Sequence, residues 1–584
     1  TVGPHAFYWF RLEPQPEPVH MGGDAAVQHA EQEALPMLTV SRGGNLLDDD
    51  CRYVLEQEVL PPYLQRQRWY RSKARELVSL RLVDWSKLGG KFFLVLAEAA
   101  YEDDTRERYV LTLKAVTGAA ADKLAAEVPG SVIARLRAPT GDGVICDALA
   151  DRTSGASLYA AMADGREFTT AQGGLLRAFP SRGADGRTPP RLAVKAVRYL
   201  GVEQSNTSIV LDDQMIMKFF RVVEPGINPD LEIGLHLTER TAFRRMPRVQ
   251  GGLVYRDAEG HEATLAMLQE FVPNQGDGWK HGVIAAREAL SHLAAADWPT
   301  PPPLPAVAPA TLDVQSMPGP LADAAAEFVG RARDLGRDTA ACHRALSQER
   351  RRADFTPRPM TTVELETFAD GAVRRLQHVL EILNNQARDM PEDLHEVADA
   401  VLAAGPELIG RLQRLPRLRD AGQRIRVHGD YHLGQVLVTD AGWLLLDFEG
   451  EPLRTLQERR EKQSPLKDVA GMLRSLDYAA QTVRLEDDAP AATGARSGWA
   501  AHWSLWLGAA FLEGYLAGVA GTALLPIDPA ARDVLLDAFL LDKAFYELDY
   551  ELNNRPDWVR VPLMGIAAIA RRGAPEGGET NEVE

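Results

Sequence analysis

Two short runs in the last third of the chain restrict its fold more than any other feature. The first is Val427-His428-Gly429-Asp430-Tyr431-His432-Leu433-Gly434-Gln435, which sets an aspartate five positions ahead of an amide side chain. The second is Leu444-Leu445-Leu446-Asp447-Phe448-Glu449-Gly450-Glu451, an apolar strand that ends on acidic groups. Three leucines in a strand seek a core, so they carry Asp447 to the rim of that core. Glu449 follows two residues later, on the same side of an extended chain.

The two runs share one chemistry. An alcohol is a poor nucleophile until a carboxylate lies within hydrogen-bond reach of its proton, and Asp430 is the candidate base. His428 braces the loop; His432 either braces it or touches substrate. Asp447, Glu449 and Gln435 offer hard oxygen atoms, which suit Mg²⁺. A loop aspartate, an amide and a strand-end aspartate in this order are the parts of a kinase-like phosphotransferase.

Upstream, Ile209-Val210-Leu211 and Met215 to Phe220 flank Asp212-Asp213-Gln214, a hairpin signal. Lys218 lies on its second strand, where a lysine can grip phosphate. Glu232, fourteen residues on, is a candidate to hold Lys218 from a helix capped by Asp230. The turn Gln204-Ser205-Asn206-Thr207-Ser208 precedes the hairpin and offers hydroxyls and backbone N–H groups to phosphate oxygens. Gln269-Glu270-Phe271-Val272-Pro273 is either a hinge whose Glu270 and Val272 meet adenine or a plain interdomain strand. No G-x-x-x-x-G-K-[ST] run occurs, which argues against a Walker-type fold.

Near the C-terminus, Glu547, Glu551, Asn554 and Trp558 recur at helical spacing and share one face. Carboxylates, an amide and an indole on one face suit sugar hydroxyls and a sugar ring. Tyr546, Tyr550 and Arg555 on the same segment complete the candidate substrate set with His432. Pro556 should end this helix close to Arg555.

The formal net charge of −17 disfavours nucleic acid and anionic membrane as partners. Three cysteines far apart in sequence suggest neither zinc nor a disulfide framework. With no signal-peptide pattern at the start and no long apolar run, the expected location is cytoplasmic.

Together these residues resemble the bacterial maltokinases, which are related to aminoglycoside phosphotransferases. The resemblance rests on Val202 to Ser208, Lys218-Phe219-Phe220 with Glu224 to Pro229, His428 to Gln435, Asp447 to Pro452, and Lys543 to Trp558. It implies an α+β, bilobal protein-kinase-like fold with an N-terminal cap subdomain and a mainly helical C-terminal lobe. The boundaries expected are a cap over 41–200, a small lobe over 201–277 and a helical lobe over 278–584. The implied reaction takes maltose and ATP with Mg²⁺ to maltose 1-phosphate, feeding α-glucan (glycogen) synthesis from trehalose. A glucosamine, other sugar or aminoglycoside kinase of the same fold is the nearest alternative, and a non-catalytic scaffold the next. Gly3 to Phe10 is similar to the closing strand of a trehalose synthase, so residues 1–40 are expected to be that strand and a linker, with trehalose synthase a fused or associated partner. Trp69-Tyr70-Arg71-Ser72-Lys73 departs from the Gly-Gly-Lys often found in the family.

Overall fold

The computed structural model describes residues 35–42, 45–90, 92–183, 186–188, 191–202, 206–295, 299–485 and 493–572. The expected trehalose-synthase-like strand lies outside them. The chain divides into two compact units, one over 8–241 and 247–272 and the other over 242–246 and 273–584, apart from a few N-terminal residues.

The first unit carries two sheets. One has six strands: β1 (Met37–Thr39), β2 (Leu77–Leu88), β3 (Phe92–Tyr101), β4 (Arg106–Thr117), β5 (Val132–Ala138) and β6 (Gly141–Asp147), in the order β1-β5-β6-β4-β3-β2. The run Phe92 to Leu96 is apolar without interruption because both faces of β3 are covered. Val95, Ala97 and Ala99 point into a core with Leu55, Leu60 and Trp69. Phe92, Leu94 and Leu96 point into another, shared with Leu158, Met162, Met217 and Phe219. Trp69 and Tyr70, at the point of departure from the family pattern, are core residues beside Tyr109, with centroids 5.8 and 5.5 Å away.

The second sheet has seven strands: β7 (Glu167–Thr169), β8 (Leu175–Pro180), β9 (Val197–Val202), β10 (Asn206–Leu211), β11 (Met215–Phe220), β12 (Val249–Arg256) and β13 (Glu262–Glu270), in the order β7-β8-β12-β13-β11-β10-β9. It contains the hairpin around Asp212 and Asp213, both at positive φ. The boundary expected at residue 200 falls inside this sheet. β7 and β8 precede it and join through β12, a pairing that local sequence does not encode.

The second unit is mainly helical, with helices Gly278–Ala295, Gly319–Leu346, Thr362–Gln386, Glu392–Gln413, Leu466–Leu485, Thr493–Val519, Pro529–Asn554 and Arg560–Arg571 around one hairpin, Val436–Thr439 and Gly442–Leu445. Helices 319–346 and 493–519 approach so closely that a Cβ on Gly336 would meet the Phe511 carbonyl. The proline-rich stretch is seated on helix 493–519, where Trp499 Nε1 donates to the Pro299 carbonyl at 2.6 Å and His502 Nε2 to that of Pro302 at 2.8 Å. No described helix is long and apolar enough to cross a membrane.

Candidate active site

The loop bearing Asp430 hangs on a buried carboxylate. Asp468, in helix 466–485, accepts from the backbone N–H of His428 at 2.8 Å and of Gly429 at 2.9 Å. His343 donates to the same carboxylate from Nε2 at 3.0 Å, and its Nδ1 lies 2.9 Å from the Tyr515 hydroxyl. Burial alone would raise Asp468, but His343, His428 and the loop N–H group hold it below the usual carboxylate range. His428 donates from Nε2 to the Leu446 carbonyl at 2.6 Å, which joins the two sequence runs directly.

Past the hairpin, Asp447 takes φ +62°, a left-handed conformation that aspartate tolerates better than most residues. The strand ends at Leu445, so the extended geometry expected through Glu449 is replaced by a turn closed by Gly450 at φ +75°. The turn keeps the two carboxylates together, with an oxygen of Asp447 within 4.8 Å of one of Glu449. Gln435 Nε2 donates to Asp447 Oδ2 at 3.1 Å. The two carboxylates offer hard oxygen donors, which suit Mg²⁺ and not a thiol- or imidazole-seeking ion, and the Gln435 amide lies beside them.

Sequence reasoning gave no role to Lys543, which lies beside the candidate base, with Nζ 3.9 Å from Asp430 Oδ1. Burial would lower this lysine, but Asp430, Glu451 and Glu547 outweigh it and raise it. Glu451 is the converse. Burial would raise it, yet Lys467, Lys543 and Arg454 hold it at about 2. Burial pushes His432 down to about 4 against the pull of Asp430, and its Nδ1 accepts from Gly434 N at 3.0 Å. The Tyr546 ring lies 5.2 Å from Lys543 Nζ and 5.5 Å from the Arg375 guanidinium.

The helix of candidate sugar ligands ends at Asn554, one residue before the expected stop. Its polar stripe is used differently from the expectation. Glu551 is 1% exposed, accepts from Arg555 through both oxygens and from the Tyr478 hydroxyl at 3.2 Å. Glu547 accepts from Arg474 Nε at 2.8 Å. Buried carboxylates need such partners, so Glu551 faces arginine instead of a ligand. Asn554 is exposed and donates to the Tyr550 carbonyl at 2.8 Å. Trp558 lies beyond the helix, stacked on Tyr478 at 6.3 Å, with the Arg555 guanidinium 5.1 Å from its ring and 5.3 Å from that of Tyr550.

Burial raises Glu551 to about 7. A carboxyl raised on folding binds more protons in the native state than in the unfolded one. Its contribution to stability is therefore full below the unfolded pKa and is lost as pH climbs toward 7. Denaturant unfolding at pH 5 and pH 7.5 should show a loss of stability over this interval that is smaller in Glu551→Gln. An equal loss in both proteins would show that another group is responsible.

In the first unit, the register pairs Ser208 with Lys218 and Thr207 with Phe219. Cross-strand partners share a face, so the Thr207 side chain points away from Lys218 into the core. This corrects its expected role as a hydroxyl donor to phosphate. Asn206, Thr207 and Ser208 belong to a buried strand, while Gln204 and Ser205 lie outside the described residues. Lys218 Nζ lies 3.2 Å from Asp230 Oδ2. Asp230 is not the helix cap. Asn228 is, accepting from Asp230 N at 2.8 Å, with Pro229 in the first turn. Glu232 is buried on the same helix. Glu270 ends β13 and accepts from Gln250 Nε2 at 3.0 Å; Val272 follows, half-buried.

Residues 63–151 match the family model described as the maltokinase N-terminal cap domain. Over this segment the chain is similar to the maltokinases. It is 23% identical over 378 residues to a glucosamine kinase of Mycolicibacterium smegmatis, covering 64% of this chain and 80% of that protein. Against the glucosamine kinase of Streptacidiphilus jiangxiensis it is 28% identical over 396 residues, covering 64% and 74%. A solved glucosamine kinase in complex with glucosamine, ADP and inorganic phosphate superposes with a TM-score of 0.55 at 22% identity, over 83% of this chain and 93% of that one. The fold is thus α+β and kinase-like, with an N-terminal cap and a helical C-terminal unit.

Proposed function

We propose that this protein transfers the γ-phosphoryl group of ATP to the anomeric hydroxyl of maltose, giving maltose 1-phosphate for α-glucan synthesis. The match of residues 63–151 to the maltokinase cap carries the choice of maltose. The chemistry is supported by Asp430 beside Lys543 and by the oxygen donors that follow. Asp430 takes the acceptor proton, and Lys543, 3.9 Å away, orients the base. Asp447, Glu449 and Gln435 would hold Mg²⁺, which when bound neutralises charge on the transferring phosphate. Lys218, steadied by Asp230, supplies a cation to the phosphates. The adenine nucleotide is supported by the ADP present in the solved glucosamine kinase. Trehalose synthase, as a source of maltose, is the partner this reading favours.

The glucosamine kinases among the relatives favour a second reading, glucosamine as acceptor. Steady-state rates with Mg·ATP decide between them. Maltose should exceed glucosamine in kcat/KM by roughly 10²-fold or more, since a site built to bond particular hydroxyls rejects a mismatched acceptor strongly. A preference for glucosamine would overturn the acceptor assignment and leave the kinase chemistry standing.

A further inference from the structure

Arg221 follows β11, three residues past Lys218, and is fully buried. Its Nε donates to Thr207 Oγ1 at 2.8 Å on β10, and its Nη2 pairs with Asp147 at the end of β6. Asp147 is itself fixed, accepting from Thr112 Oγ1 on β4 and from Leu149 N at 3.1 Å. The guanidinium lies 5.4 Å from the Trp69 ring, within the matched cap segment, and 5.3 Å from that of Phe219. The backbone repeats the connection. Val110 N donates to the Arg221 carbonyl at 2.9 Å, and Val223 N to that of Arg108 at 2.8 Å.

A fully buried ion pair is weak evidence of stabilisation, because removing both charges from water costs about as much as their attraction returns. A planar, multidentate donor is instead suited to fixing geometry. Taken together, these contacts tie Asp147 and Trp69 to Thr207 and Phe219, on the two strands of the hairpin that carries Lys218. Thr207 and Phe219 are on the face of that hairpin opposite Lys218 and Ser208. Arg221 therefore holds the hairpin from behind, without touching the face that presents the lysine.

We propose that Arg221 is a positioning residue through which the cap sets the phosphate-binding hairpin and so the affinity for a nucleoside polyphosphate. This rests on the kinase reading above. It gives the cap a role in nucleotide binding and none in recognition of the acceptor.

Calorimetric titration with Mg·ADP tests it without turnover. Thr207→Val, which deletes one hydroxyl behind the hairpin, should weaken Mg·ADP by roughly tenfold, the scale of one lost buried hydrogen bond to a charged group. Thr207→Ser should bind within about twofold of the wild type, since the hydrogen-bonding hydroxyl is kept. Arg221→Lys, which loses the fork, should weaken Mg·ADP as Thr207→Val does. The acceptor KM should be unchanged in all three. Equal Mg·ADP affinity in Thr207→Val and wild type overturns the proposal, as does a parallel loss of nucleotide and acceptor binding. If Arg221→Lys fails to fold by near-ultraviolet circular dichroism, Thr207→Val decides alone. A wild type that binds no Mg·ADP removes the kinase reading and this proposal with it.

Discussion

Asp430→Asn is expected to bind Mg·ATP as the wild type does and to lose roughly 10²–10⁴-fold in kcat, the range supplied by a positioned general base. The substitution keeps volume and hydrogen-bonding shape and removes only basicity and charge. The loop should hold its place, because it is anchored by the His428 and Gly429 N–H groups on Asp468 and by His428 on the Leu446 carbonyl, not by Asp430. One neighbour does change. Lys543 is raised by Asp430, Glu451, Glu547 and Asp542 together, so losing one of these four carboxylates leaves it among the other three. Titration calorimetry for nucleotide and initial rates for transfer separate the two effects. Near-normal turnover in Asp430→Asn would remove the base from the mechanism.

Asp468→Ala should be the most damaging single change in the helical unit. It leaves two backbone N–H groups and the His343 imidazole without their common acceptor, in a site closed to water. Each buried donor left unsatisfied costs about 1–3 kcal/mol, so losing the common acceptor of three is a large share of the stability of a typical domain. The mechanism predicts more than instability. Variant that remains folded at low temperature should bind nucleotide poorly organised for transfer, with a lower kcat, because the loop holding Asp430 has lost its anchor. Asp468→Asn keeps one acceptor oxygen and should lie between alanine and wild type in denaturant midpoint. A midpoint for Asp468→Ala within about 1 kcal/mol of wild type would contradict the anchoring role; losses of this kind ordinarily exceed that.

Much of this was legible along the chain wherever the signal is local. The hairpin around Asp212, the strand entering Pro273 and the helix stop near Pro556 follow from turn residues and proline, which act on their immediate neighbours. The register that puts Lys218 opposite Ser208 follows from the same hairpin, yet the buried side of Thr207 depends on Arg221 and the distant Asp147. Asp447 was found by pattern, but its left-handed turn was not, since aspartate populates several backbone conformations and packing selects one. Lys543 was hidden for another reason. A lysine opening a run of aromatic and acidic residues reads as a solvated helix face until tertiary structure brings Asp430 and Glu451 beside it. The same holds for Arg474, which pairs with Asp477 one turn away and with Glu547 on another helix. Glu547 and Glu551 carry the helical spacing of a ligand face, and the structure adds what spacing does not show, the arginines Arg474 and Arg555 that pair with them.

The most direct measurement is phosphorus NMR of a mixture of maltose, ATP and magnesium, run with wild type and with Asp447→Asn. The wild type should yield one new phosphomonoester resonance coupled to the anomeric proton, with ADP in equal amount, and the variant should yield neither at a comparable rate. Release of inorganic phosphate alone, a phosphate coupled to any other sugar proton, or full activity in Asp447→Asn would contradict the account.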